Sequence, residues 1–150
     1  MAIREIRKEG DPVLRRVAKE VTKFTPELKK LARDMADTMY DADGVGLAAP
    51  QIGVSKRIWV IDVGDGLFAM VNPEITLQEG EQIGPEGCLS IPGYSYETSR
   101  YEHVICKGYD LDGNEKVVEG NGLLARALQH ETDHLNGILF VDRLRRFVAR

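Results

Sequence analysis

The segment His130-Glu131-Thr132-Asp133-His134 constrains this chain more than any other. Residues four apart lie one above the other on a helix, so two histidines at this spacing can offer ring nitrogens to one divalent ion. That requires the surrounding segment to be helical. With Asn121 as N-cap and Gly137 as stop, the pattern predicts a helix over residues 122–136. Leu123 and Ala127 extend the histidine face toward the helix start. Glu131, next to the first histidine, projects toward the place a water on the ion would occupy and can serve there as general acid/base. The competing reading is a solvated helix face. A glutamate in that position, in a chain with only three histidines, weighs against it.

A catalytic metal site commonly has three protein ligands and one open position. Cys88, in Glu86-Gly87-Cys88-Leu89-Ser90, is the best third ligand, because its glycine neighbour permits close backbone approach and a thiolate suits a borderline-soft ion. An ordinary buried cysteine is the alternative. His103 competes as a ligand, although its place beside Val104 in an apparent strand favours a structural or surface role.

The remaining pattern predicts an α+β chain with antiparallel sheets packed around the C-terminal metal-binding helix, together with N-terminal helices. Asp11-Pro12 starts a short helix, and Thr25-Pro26 starts an amphipathic one that Asp43-Gly44 ends. Residues 44–53 hold too many glycines for a helix interior and should be extended or looped. Strands are predicted over residues 57–63 and 67–71, with a second antiparallel group between Tyr94 and Val118 that turns at Asp112-Gly113. With 150 residues, no repeat and no linker-like stretch, one domain spanning 1–150 is expected.

A net charge of −4 from 20 basic and 24 acidic residues gives no electrostatic footprint for nucleic acid or an anionic membrane. Only the end, with Arg143, Arg145, Arg146 and Arg150, is locally basic. Two cysteines make no secreted disulfide framework, and neither a signal-peptide core nor a run of about 18 apolar residues is present. A cytoplasmic protein is therefore expected.

Three segments together resemble the peptide deformylase family: Gly44-Val45-Gly46-Leu47-Ala48-Ala49-Pro50-Gln51-Ile52-Gly53, Glu86-Gly87-Cys88-Leu89-Ser90 and Gln129-His130-Glu131-Thr132-Asp133-His134-Leu135. The likeness extends over nearly the whole chain. It implies hydrolysis of the N-formyl group from the N-terminal formylmethionine of nascent polypeptides, with release of formate. By resemblance Cys88, His130 and His134 are the metal ligands, and Fe²⁺ is the cellular ion, with Zn²⁺, Ni²⁺ or Co²⁺ able to take the same site. Gln51 through its amide and Leu89 through its backbone N–H match the donors to the developing oxyanion. Val45, Gly46 and Gly87 match positions where the backbone pairs with an extended substrate. In the chemistry this implies, water on the metal attacks the formyl carbon with Glu131 as general acid/base. Leu123 and Ala127, with Leu89, are candidates for a methionine pocket, and Arg100 is suggested to pair with Glu86 in support of the cysteine segment. The implied partners are N-formylmethionyl peptides and nascent chains, with the ribosome as a further candidate and no membrane or sequence-specific nucleic acid.

Two rivals remain at this stage. A zinc peptidase would need a third ligand downstream of the helix, where Asp142 is the sole acid. A purely structural metal site would need a fourth protein ligand, for which His103 and Cys106 are the candidates.

Overall fold

A computed structural model describes residues 2–143 of the chain. Leu144, Arg145, Arg146 and Arg150, at the basic end of the sequence, lie outside them. The order is a single 3₁₀ turn at Pro12–Arg15, helix α1 (Pro26–Asp41), strand β1 (Gly46–Ala48), a second 3₁₀ turn at Ala49–Ile52, strands β2 (Ile58–Ile61), β3 (Phe68–Glu79), β4 (Gln82–Cys88), β5 (Ile91–Arg100), β6 (His103–Tyr109) and β7 (Glu115–Asn121), then helix α2 (Gly122–Leu135). A last 3₁₀ turn follows at Phe140–Arg143. The strands form a five-stranded antiparallel sheet in the order β1-β2-β3-β6-β7 and a separate β4-β5 hairpin.

Helix α1 starts as its sequence dictates, with Thr25 Oγ1 accepting the Leu28 N–H at 3.3 Å and Pro26 in the first turn. Its buried stripe of Leu28, Leu31, Met35 and Met39 packs on β1 and β2 through Leu47, Ile58 and Val60. The short helix expected at Asp11-Pro12 is a one-turn 3₁₀ segment, capped by Asp11 on the Val13 N–H.

Three expectations need correction. The second predicted strand does not stop at Val71, because β3 runs on to Glu79. Asn72 and Pro73 read as breakers, yet they lie where the β3-β6 register shifts between Val71 and Glu74. A bulge absorbs the missing proline donor, and Asn72 exchanges two 2.9 Å hydrogen bonds with the Val21 backbone. Residues 82–88 form a strand that Gly84, Pro85 and Gly87 conceal, which is tolerable because a two-stranded hairpin is all edge. Finally, the Asn121 side chain makes no cap bond at α2. The Gly122 N–H is taken instead by the backbone carbonyl and the carboxylate of Glu102, at 3.1 and 2.9 Å.

Helix α2 is buried on every side from Ala125 to Leu135. Ala125, Leu128 and Leu135 pack with Trp59, Ile61, Met70 and Val104 of the larger sheet. Thr132 accepts the Trp59 indole N–H at 3.1 Å. Arg57 donates to the Leu135 carbonyl at 2.9 Å and so satisfies the helix end. Among the described residues no helix is long and apolar enough to cross a membrane.

Candidate metal centre and cleft

Helix α2 carries His130 and His134 one turn apart, and the end of β4 brings Cys88 to them. The Cys88 Sγ lies 3.3 Å from His134 Nε2, and the two histidine Nε2 atoms are 3.1 Å apart. All three potential ligand atoms lie within 4.8 Å of one another, the group among the described residues able to hold a metal ion.

What aims His130 is Glu86, whose Oε2 lies 2.6 Å from His130 Nδ1. A carboxylate there holds the proton on Nδ1 and leaves Nε2 facing Cys88 and His134. Glu86 is itself clamped. Arg100 reaches it with Nε at 3.1 Å and Nη2 at 2.7 Å, and Arg126 with Nη1 at 2.7 Å. Arg100 also donates to Asp133 at 2.6 Å, and Arg143 holds Asp133 with two bonds of 3.1 Å.

Burial alone would push the Glu86 pKa up, but the hydrogen bonds from His130 and Arg100 prevail and hold it well below the carboxylate range. Around His130 burial opposes charge, yet Glu131, Cys88 and Glu86 outweigh it and raise the ring to about 10. Burial and the neighbouring His130 hold His134 well below the usual histidine value. The donor set of one sulfur and two imidazole nitrogens fits a divalent ion of borderline softness.

Glu131 lies on the cleft side of the histidines, its Oε2 3.9 Å from His130 Nε2 and its Oε1 without a partner. Burial first, with Glu86 and Asp133 adding to it against the pull of His130 and Arg100, raises its pKa to about 7. A carboxyl group near that value can both take and return a proton at neutral pH. Gly46 makes room for it, since a Cβ at that position would stand 2.5 Å from Glu131 Oε2 and 2.9 Å from its Cγ.

Gln51 occupies the buried 3₁₀ turn after β1. Its Oε1 accepts the Ala48 N–H at 3.0 Å, which orients the amide so that Nε2 points to Ser90 Oγ at 3.1 Å and Cys88 Sγ at 3.6 Å. Leu89 opens the turn between β4 and β5, with its side chain beside Gly44. A cleft of about 650 Å³ contains these groups together with Val45, Gly87, Leu123, Ala127 and Arg126. Its two walls are sheet edges. Val45 accepts the Asp62 N–H at 2.8 Å, so strand alternation turns the Gly46 backbone groups away from β2 toward the cleft.

The remaining candidates are elsewhere. His103 lies on β6 between Glu79 and Glu119, at 2.9 and 2.5 Å. Cys106 is buried beside Met70 Sδ at 3.5 Å, where burial pushes its thiol up to about 12. Asp142 pairs with Arg15 at 2.5 Å. None joins the three ligand atoms, which leaves neither a fourth protein ligand nor a downstream acid at this centre among the described residues. Sequence reading missed Arg126, Asp133 and Ser90. Arg126 carried a usable signal, because it precedes His130 by four residues and so shares the face of a helix that has little solvent to offer it.

The chain is similar to known proteins over nearly its whole length. The peptide deformylase of Caldanaerobacter subterraneus subsp. tengcongensis is 57% identical over 150 residues, covering 100% of this chain and 94% of its own length. The solved peptide deformylase of Thermotoga maritima superposes with a TM-score of 0.95 at 46% identity, covering 97% of this chain and 100% of that one. That of Synechococcus elongatus, solved in complex with actinonin, gives a TM-score of 0.91 at 44% identity over 94% of this chain and 78% of its own. Since the family model for polypeptide deformylase also matches residues 3–149, this chain belongs to the polypeptide deformylase family.

Proposed function

We propose that this protein removes the formyl group from the N-terminal formylmethionine of nascent polypeptides in the cytoplasm, releasing formate and a free amine. The observation that carries this reading is the convergence of Cys88 and His130, backed by the buried His134, with the Glu131 carboxyl and the Gln51 amide at one cleft between two sheet edges. Cys88, His130 and His134 would hold one divalent ion, with Fe²⁺ as the cellular ion and Zn²⁺, Ni²⁺ or Co²⁺ as alternatives. When bound, such an ion supplies a Lewis acid that acidifies water and polarises a carbonyl oxygen.

The chain's own residues do the rest. The substrate backbone adds as a strand between Gly46 on β1 and Gly87 on β4, and the methionine side chain rests against Leu89, Leu123 and Ala127. Gln51 Nε2 and the Leu89 N–H donate to the formyl oxygen as it gains charge. Glu131 takes a proton from water while the water oxygen bonds to the formyl carbon. As the carbon–nitrogen bond breaks, Glu131 returns that proton to the nitrogen, so one water is consumed for each formate and amine formed. Glu86, fixed by Arg100 and Arg126, keeps the His130 ring aimed throughout.

Formate release from formyl-Met-Ala-Ser by freshly prepared protein loaded with iron, nickel or zinc tests this reading. Turnover with at least one metal is expected. Failure with all three would overturn it.

A further inference from the structure

Tyr94 and Tyr96 are both exposed, with 60% and 41% of their surface accessible. They are separated by Ser95 on β5, so both rings stand on the same face of the hairpin. They stack on each other, with centroids 6.1 Å apart and planes 12° from parallel. The inner ring is anchored, since Tyr96 lies 6.1 Å from the buried Phe140 ring, which in turn lies 6.2 Å from His130. A line of rings therefore runs from a ligand of the metal centre to the surface. Tyr94, its outermost member, lines the same cleft as Glu131 and Cys88.

Large apolar side chains left open in a group at the rim of a cleft mark a contact surface. Nothing in the chemistry proposed above uses these two. Stacking on an anchored neighbour restricts the rotamers of the outer ring, so a planar group can settle on it at reduced entropic cost. Resting on the deformylase reading, we infer that Tyr94, supported by Tyr96, is a specificity-determining shelf that stacks an aromatic side chain of the substrate, one to three residues beyond the formylmethionine. With the formyl end at Glu131 and Gln51 and the substrate strand laid along Gly87, Tyr94 is within the same cleft lining as all three. The protein would then process some nascent chains faster than others according to their first few residues.

The test compares formyl-Met-Phe-Ser, formyl-Met-Ala-Phe and formyl-Met-Ala-Ser-Phe with their alanine counterparts. An aromatic pair of this kind predicts a KM lower by about threefold to tenfold for at least one of the three phenylalanine peptides, with little change in kcat. Tyr94→Ala should bring that ratio to about one, Tyr94→Phe should retain it, and Tyr96→Ala should reduce it. The same ratio should appear in dissociation constants measured by calorimetry on the metal-loaded Glu131→Gln protein, where turnover is not needed. A binding preference without turnover would support the shelf and sink the deformylase reading alone. Equal KM and equal affinity for aromatic and alanine peptides, or a preference that survives Tyr94→Ala, would overturn the shelf.

Discussion

The two sides of α2 solve the same burial problem by opposite means. Toward the five-stranded sheet, Ala125, Leu128 and Leu135 meet Trp59, Ile61 and Met70, and the Thr132 contact with the Trp59 indole is neutral. Toward the β4-β5 hairpin, Arg126, His130 and Asp133 meet Glu86 and Arg100 in an ionic network with little access to water. Apolar contact gains stability without directional demands, whereas buried ion pairs roughly cancel their own desolvation. The ionic side is therefore understood through what it orients. It fixes the orientation of the His130 ring and the strand that bears Cys88, and an apolar side could do neither.

Glu131→Gln offers the largest contrast between the sides. Deformylation should fall by at least about 10²-fold, the lower range for losing a general acid/base. Folding stability should hold or rise, because the change removes a carboxyl group that burial already penalises. Metal content should be unchanged, and steady-state formate release, denaturant melts and elemental analysis on one preparation check the three expectations. A variant that turned over normally would place the proton transfer elsewhere.

Glu86→Ala attacks the ionic side at its hub. Arg100 and Arg126 would lose their shared carboxylate while buried, and removal of one partner from a buried ion pair costs about 3–5 kcal/mol. His130 would lose its Nδ1 acceptor at the same time, with metal affinity falling by about 10- to 100-fold. Urea unfolding of the metal-free protein separates the first effect from the second. If stability dropped while metal affinity stayed, the network would be scaffold and the contrast between the two sides would collapse.

The two sides also differed in how readily sequence disclosed them. The apolar stripe of α1, the ends of α2 and the histidine spacing follow local periodicity, so residues 25–43 and 122–136 could be delimited from sequence within one or two positions. Strand β4 and the far half of β3 could not, because Pro73, Pro85 and their glycines oppose strand formation locally and are tolerated only through a bulge and a free edge. The site shows the same division. Cys88 and the histidines advertise themselves by chemistry, whereas Asp133 looked like an ordinary helix acid until the fold put Arg100 and Arg143 around it.

Thr132→Val tests the apolar side from within the histidine motif itself. The hydroxyl that accepts the Trp59 N–H would be lost and the indole left buried without an acceptor, at a cost of about 1–3 kcal/mol. Metal content and kcat should change little, since the side chain points away from the ligands. A large loss of activity with normal stability would mean that the sheet side of α2 shares in the chemistry.

Asp34 provides the weakest and most discriminating case, because two cations clamp its carboxylate, as two clamp the Glu86 hub, but without the same seclusion. It accepts from Arg4 at 2.7 Å and from Lys30 at 2.9 Å, but these cations are 37% and 60% exposed. Hydrogen bonds from Arg4 and then Lys30 hold its carboxyl below the ordinary value. A depressed folded-state pKa contributes stability above the unfolded value of about 3.9 and loses it as pH falls through the lower, folded value. With solvent screening the pairs, Asp34→Asn should cost no more than about 1 kcal/mol at neutral pH. That difference should fade as the pH drops below about 4, where the wild-type carboxyl also gains its proton. Thermal melts at neutral and acidic pH measure it. A loss at Asp34 as large as that at Glu86 would show that ion pairing itself, rather than its burial beside the histidines, sets the energetic weight of these networks.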